Sequence, residues 1–225
     1  MNINTVFTDF CNALSQRTRP LTEDNIRYYW FANMLRQDSD LNNYCLEEQY
    51  NPNLCNTLNL GHAELDLHYD GGTNGTDVTD NLCFEIKMHR FTGSTLTYTE
   101  NVGKVLNDLR RLGAINLPGS RKLFLYVTDE VMEAHLLKAT AGINSLSAYR
   151  SQVSGLFSLA PGQAKSLTFS EFQVPAIFWR RAVQSLPVPG SARSFSLNLA
   201  LLDSATIQYP SASSPTLHIR LFEVK

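Results

Sequence analysis

The chain has 225 residues, of which 43% are hydrophobic and 18% are charged, and these values are typical of a globular protein with one substantial core. Its net charge of −2 argues against histone-like DNA binding, and four cysteines without a C-x-x-C pair argue against a zinc or iron–sulfur centre. The sequence contains neither a secretory signal nor an apolar run that could span a bilayer, so we expect a cytoplasmic protein without a membrane partner.

Charge is distributed unevenly along the chain. Residues 1–84 carry a balance of −8, whereas residues 85–150 and 151–225 each carry +3. A groove lined by the later basic residues can follow a phosphate backbone. For any single one of these residues, a solvated helix face is the simpler interpretation.

The first predicted elements are two helices and a strand. The spacing of apolar residues predicts a helix over 5–18, which ends before a proline. A second helix is predicted to begin after Thr22 as N-cap and to run to Arg36. A strand over 44–50 follows.

The next two segments, 63–69 and 83–89, alternate apolar and polar residues, which is the pattern of strands with one buried face. The connector between them is rich in turn-forming residues and predicts a hairpin with a long loop. The polar face of the first strand carries Glu64 and Asp66, and that of the second carries Glu85 and Lys87.

The remaining pattern predicts an amphipathic helix over 99–113 capped by Thr99, a buried strand over 121–127 and a helix over 129–140. The order of elements indicates an α/β (α+β) fold with a mixed sheet flanked by helices. From about residue 143 the composition shifts toward Ser, Pro and Gly. We therefore predict a domain over 1–149 and a β-rich C-terminal extension over 150–225, which either packs on the core or forms its own module.

If the two alternating strands pair, two carboxylates and an ammonium meet on one face of the sheet. Mg²⁺ prefers oxygen ligands and usually keeps several waters, so Asp66 and Glu85, with the Ile86 carbonyl as a third ligand, are sufficient. Lys87 can orient an attacking water or stabilise the transition state of phosphodiester hydrolysis. The simpler alternative is an exposed surface pair, which contributes about 0–1 kcal/mol.

Three segments of the chain resemble the PD-(D/E)XK nuclease superfamily, which has a restriction-endonuclease-like fold. They are Thr22-Glu23-Asp24-Asn25-Ile26-Arg27, Ala63-Glu64-Leu65-Asp66 and Phe84-Glu85-Ile86-Lys87. The resemblance implies an αβββαβ core and cleavage of DNA in the presence of Mg²⁺ or Mn²⁺ to give a 5′-phosphate. The proline that often precedes the first acid of this family is missing here.

The resemblance also implies roles for individual residues. Asp66 and Glu85 become metal ligands, Lys87 the lysine that assists water, and Glu23 the helix glutamate that reaches the metal through water. Glu64 stays an alternative to Asp66 as the first ligand.

Five residues are candidates for contacting the substrate. His62 and His89 flank the site, and Lys104, Arg110 and Arg111 lie on the basic helix that follows it. The partners compatible with this interpretation are DNA, a second copy of the chain in a homodimer, or a larger DNA-processing complex.

Three functions remain open from the sequence. The first is a metal-dependent nuclease, expected to be an endonuclease, which hydrolyses DNA with metal-activated water. The second is a non-catalytic member of the same fold that binds nucleic acid or protein. The third is an unrelated carboxylate-based hydrolase, such as a glycoside hydrolase, which would need no divalent ion.

Overall fold

The structure, a computed structural model, describes ten stretches of the chain. They are residues 1–19, 21–49, 64–71, 73–74, 77–78, 81–90, 95–138, 145–185, 193–208 and 216–225. These stretches hold six α-helices and a seven-stranded mixed sheet, so the predicted α/β class is confirmed. Of the helices within them, none combines the length and the apolar character that crossing a lipid bilayer requires.

The described chain begins with two helices, and five strands follow before the third helix. The helices are α1 (Ile3–Ser15), α2 (Glu23–Leu35), α3 (Thr95–Gly113), α4 (Glu130–Leu137), α5 (Ser145–Phe157) and α6 (Ala176–Ala182). The strands are β1 (Tyr44–Gln49), β2 (Glu64–Asp70), β3 (Thr73–Asn74), β4 (Asp77–Val78), β5 (Asn81–His89), β6 (Ser120–Asp129), β7 (Ala164–Ser170), β8 (Ser194–Gln208) and β9 (Thr216–Val224). Short 3-10 helices precede β1 and α6, at Leu41–Asn43 and Glu171–Gln173.

Seven strands form one sheet in the order β1-β2-β5-β6-β9-β8-β7. Neighbouring strands run antiparallel, except that β5 and β6 are parallel. A parallel pair needs a long crossover connection, and the amphipathic helix α3 supplies it here. Strands β3 and β4 form a separate two-stranded ribbon within the connection from β2 to β5.

Helices cover both faces of the sheet. On one face, Trp30 of α2 makes edge contacts with Phe10 of α1 and Phe84 of β5. On the other face, α3, α5 and α6 pack over side chains such as Tyr126 of β6. Successive residues of a strand point to opposite faces, so Glu85 and Lys87 lie on the α3 side, opposite to Phe84.

Several predicted elements in the first half of the chain are confirmed, with shifted ends. Helix α1 spans Ile3–Ser15 rather than 5–18. Thr22 is the N-cap of α2 as predicted, because its side chain accepts a hydrogen bond from the Asn25 amide. The prediction that Thr99 caps α3 is wrong, since that helix already begins at Thr95.

The last third of the chain extends the central sheet. Strands β7, β8 and β9 all belong to it, and β9 pairs directly with β6. This part of the chain also contains α6 and the second half of α5, which the alternation pattern did not predict. The predicted boundary at 149/150 falls inside α5.

Helices α3 and α6 approach each other closely at Gly103. A Cβ atom at this position would lie 2.6 Å from the backbone oxygen of Phe178 and 2.9 Å from Cβ of Arg181. Only a residue without a side chain permits this approach. The close contact brings the basic residues of α6 beside the polar face of α3.

Candidate functional site

The predicted acids and lysine meet where β2 and β5 separate. The antiparallel ladder between these strands ends at the pair Leu67 and Phe84. Just beyond it, Asp66, Glu85 and Lys87 line one cavity of about 220 Å³. We call this cavity the acidic cleft, and it brings together the three side chains on which the sequence hypothesis depends.

Asp66 is fixed by the backbone of the neighbouring strand. Its Oδ2 accepts a hydrogen bond from the Ile86 amide at 2.6 Å, in the gap that opens where the ladder has ended. The backbone N–H and C=O of one strand residue point toward the same neighbouring strand, so the Ile86 carbonyl also faces Asp66. Burial raises the pKa of Asp66 to about 6, although the Ile86 amide and the guanidinium of Arg27 act in the opposite direction.

Glu85 lies beneath α3 and is only 4% exposed. Its Oε1 lies 2.8 Å from Nη2 of Arg111, whose guanidinium is also 3.4 Å from Asp108. Burial raises the pKa of Glu85, and the nearby positive charge of Arg111 opposes this shift. Asp66 likewise has an arginine partner, because Arg27 Nη2 of α2 lies 2.9 Å from it. For both acids the effect of burial is larger than that of the arginine, so the net shift of the pKa is upward.

Lys87 lies between two acids from different helices. Its Nζ is 3.2 Å from Oε1 of Glu23 and 4.0 Å from Oδ2 of Asp108. Burial acts to lower the pKa of Lys87, but the charges of Asp108 and Glu23 outweigh it, and the net shift is upward. Lys87 therefore remains an ammonium at neutral pH.

The start of α2 determines where Glu23 points. A capping box at Thr22 and Asn25 fixes the first turn of the helix, with hydrogen bonds of 3.3 Å in both directions. Glu23, the first helical residue, then reaches the sheet, where its Oε2 accepts the Met88 amide at 3.0 Å. Arg27 lies one turn later on the same face and contacts Glu23 at 3.3 Å.

The other predicted residues have different surroundings. Arg111 lines the acidic cleft, and Lys104 lines an adjoining cavity that also includes Lys87. Arg110 lies elsewhere, where it donates to the Ala182 carbonyl at 2.6 Å.

Of the two candidate histidines, one lies within the described residues. His89 is buried against Tyr126, with its Nδ1 3.0 Å from the phenol oxygen, and burial lowers the pKa of this histidine to about 3. His62 lies outside the described residues.

Three residues of the site were not predicted. Arg27 is the partner of Asp66, and Asp108 is a partner of Lys87. The only sequence signal for these two residues was that each follows a predicted site residue by one helical turn, Glu23 and Lys104 respectively. Glu47 lies across from Asp66 on β1, lines the acidic cleft and has a positive φ of 54°. Such a backbone conformation is unusual for a residue other than glycine and is often found at functional sites.

The acidic cleft suits a hard cation in its chemistry and size. Within the described ranges, no three His, Cys, Asp or Glu side chains converge as a complete metal cage. Mg²⁺ does not require one, since one or two carboxylates and several waters are its usual ligands. A water occupies roughly 30 Å³, so the cavity of about 220 Å³ has room for an ion with a largely aqueous shell. Each carboxylate can accept about four hydrogen bonds or metal contacts, so the arginines do not saturate Asp66 or Glu85.

Comparisons with known proteins provide no further guide to this cleft. A scan against protein-family models, a search of curated proteins and a search of solved structures each returned no match to the chain. A functional assignment must therefore rest on the residues of the cleft and on the topology that positions them.

Proposed function

We propose that the protein is a metal-dependent nuclease that hydrolyses phosphodiester bonds of DNA in the acidic cleft. The observation that carries this proposal is the convergence of Asp66, Glu85 and Lys87 on one cavity from two adjoining strands. Glu23, the helix glutamate expected beside them, is 3.2 Å from Lys87.

The topology supports the same proposal. The elements α2, β1, β2, β5, α3 and β6 follow one another in the αβββαβ order of the PD-(D/E)XK superfamily. Their strands are also neighbours in the sheet, with β5 and β6 parallel across α3. A restriction-endonuclease-like core is therefore the finer fold that we propose for this part of the chain.

Each side chain of the cleft has a defined task in this mechanism. Asp66, Glu85 and the Ile86 carbonyl would hold the divalent ion, which when bound lowers the pKa of water and neutralises charge on the phosphate. Lys87 is charged and anchored, so it can orient the attacking water and stabilise the additional negative charge of the transition state. Glu23 positions Lys87 through their ion pair.

One observation favours a non-catalytic binding protein as a second candidate. Both acids already have an arginine partner, Arg27 for Asp66 and Arg111 for Glu85. In a protein of that kind these pairs would persist, and divalent ions would have no effect on stability. In the proposed nuclease, the ion competes with both guanidinium groups for the carboxylates.

The deciding experiment incubates the purified protein with supercoiled plasmid, linear duplex and single-stranded DNA in Mg²⁺, Mn²⁺ or EDTA. We expect cleavage with either metal, none in EDTA, and none with Asp66→Asn or Lys87→Ala. Asp70→Asn is the matched control, because this exposed acid lies at the end of the same strand and should retain activity. Cleavage that persists in EDTA and in both site variants would falsify the proposal and favour a metal-independent hydrolase.

A further inference from the structure

The acidic cleft is the first of three cavities that share walls. It shares Lys87 and Arg111 with a second cavity of about 290 Å³, which we call the basic cavity. The basic cavity shares Arg181 and Gln184 with a third one of about 520 Å³, which we call the α6 cavity. A ligand that occupies the acidic cleft can therefore extend along α3 as far as α6.

Basic side chains outnumber acidic ones in the lining of the basic cavity. Four cations line it, Lys87, Lys104, Arg111 and Arg181, against the single acid Asp108.

The two cations at the far end of the basic cavity, Lys104 and Arg181, share a single acidic partner. Glu100 contacts both Lys104, at 3.5 Å, and Arg181, at 2.6 Å, so one carboxylate serves two positive charges. At this end of the cavity one positive charge is left over, which a phosphate can neutralise. At the other end Lys87 and Arg111 are balanced by the carboxylates that they contact, Glu23, Glu85 and Asp108.

The length of the basic cavity corresponds to a short stretch of nucleic acid strand. Lys104 and Arg111 are seven residues apart on α3, which is about 10 Å at the rise of an α-helix. This distance is long enough for successive phosphates of one strand to lie along α3. A strand whose scissile phosphate lies near Lys87 would therefore bring a neighbouring nucleotide to α6.

The α6 cavity differs from the other two because most of its wall is apolar. Its apolar side chains are Val174, Ala176, Trp179 and Val183, and its polar ones are Glu171, Arg180, Arg181 and Gln184. Trp179 is held in place by stacking on Phe195 at 5.6 Å between ring centroids. A concave apolar cavity of this size, with a few polar groups at its rim, suits a ligand as large as a nucleoside.

The geometry points to single-stranded nucleic acid as the substrate class, with phosphates in the basic cavity and one base in the α6 cavity. This inference rests on the proposed function and specifies its substrate. Apolar contact with a base and electrostatic contact with its phosphates are how proteins bind single strands without reading their sequence. A base in a duplex is stacked and paired, so it would first have to leave the helix in order to enter the cavity.

The test measures binding in EDTA, so that no cleavage takes place. The probes are a short labelled single-stranded oligodeoxynucleotide, its duplex and an abasic strand with the same number of phosphates. We expect the single strand to bind about tenfold more tightly than the other two, because only it can place a base in the α6 cavity.

A cavity-filling variant and its control complete the experiment. Ala176→Trp fills the α6 cavity from an exposed helix position, and it should reduce single-strand affinity to that of the abasic strand. Ala134→Trp, at an exposed position of α4, should bind like the wild type. Circular dichroism and melting curves establish that both variants are folded.

Equal affinity for the abasic and the ordinary single strand would overturn the inference, and so would a folded Ala176→Trp variant that keeps the wild-type preference. Both results leave the proposed nuclease function intact if cleavage still requires metal. Base-dependent binding that is lost in Ala176→Trp, in a protein that cleaves nothing, would support the α6 site and refute only the nuclease activity.

Discussion

The carboxylate of Glu23 lies 3.2 Å from the ammonium of Lys87 and thereby joins the first residue of α2 to the centre of the sheet. The same carboxylate accepts the amide of Met88, so two contacts fix its position. On the other side of Lys87, Asp108 of α3 lies 4.0 Å away. The lysine is thus held between two helices, and its charge is directed at the acidic cleft.

This arrangement predicts that Lys87 contributes to the rate of cleavage. Lys87→Met should lower the cleavage rate by a factor of about 100 or more, which is typical when a fixed group that stabilises transition-state charge is removed. Single-turnover rates at saturating Mn²⁺ measure the effect. Lys138→Met, an exposed residue after α4, should cleave at the wild-type rate. A Lys87→Met protein with near-wild-type activity would contradict the role given to this lysine.

Because Arg111 pairs with Glu85, we predict that replacing Arg111 destabilises the protein more in EDTA than in the presence of Mg²⁺. Arg111→Leu leaves the buried Glu85 without this guanidinium, which should lower the free energy of unfolding by about 3 kcal/mol in EDTA. A divalent ion can replace the lost positive charge, and a ligand that binds only the folded state stabilises it. Urea titrations should therefore show a larger gain from MgCl₂ in Arg111→Leu than in the wild type.

Arg110→Leu is the matched control for that experiment. Arg110 is the preceding residue of α3, but it donates to the Ala182 carbonyl and stacks over the ring of Phe195. Its loss should destabilise the protein by the same amount with and without metal. If MgCl₂ stabilised both arginine variants equally, the ion would not be bound at Glu85.

The pKa of Asp66 predicts how stability changes with pH. Burial raises this pKa to about 6, so the folded protein binds a proton more tightly at Asp66 than the unfolded chain does. The stability that this proton provides is complete below about pH 4 and is lost as pH rises through about 6. Relative to Asp66→Asn in EDTA, the wild type should lose about 1–3 kcal/mol across this interval. Denaturation at closely spaced pH values measures the difference, and a flat difference would contradict the shift.

The sequence predicted the parts of the fold that depend on local patterns. Alternation in β5 placed Glu85 and Lys87 on one face, since the strand period is a property of a short segment. In β2 the predicted alternation is interrupted, because Leu65 packs in the core on the α3 side and Leu67 in the opposite core. Asp66, between them, contacts Arg27 of α2. The N-cap at Thr22 could also be predicted, because a capping signal depends only on the residues at the start of the helix.

The partners of the site residues could not be predicted in the same way. Arg27 meets Asp66 and Arg111 meets Glu85 across different elements, and such contacts depend on tertiary packing that no single segment encodes. Helix α6 was missed because its seven residues are too few for a clear helical period. Its aromatic residues pack on α5, β7 and β8, where Phe178 contacts Tyr149 and Phe169 and Trp179 contacts Phe195.

The close approach of α3 and α6 predicts that Gly103 is required for both stability and binding. In Gly103→Ala the new methyl group would lie 2.6 Å from the backbone oxygen of Phe178, which cannot move without shifting α6. We expect a loss of about 1–3 kcal/mol in the free energy of unfolding, the usual cost of overpacking. Because Arg181 lies on α6, the same shift should weaken binding of single-stranded DNA.

Gly155→Ala provides the comparison, because it makes the same change in another helix with a different neighbour. Its methyl group would meet the end of the Lys165 side chain, at Nζ and Cε, and that flexible side chain can move aside. The higher helix propensity of alanine, worth up to about 1 kcal/mol, should then leave stability equal to or above that of the wild type. Urea denaturation and fluorescence anisotropy of the two variants test both effects. If Gly103→Ala were as stable as Gly155→Ala and bound DNA as tightly, the contact between α3 and α6 would not control the groove.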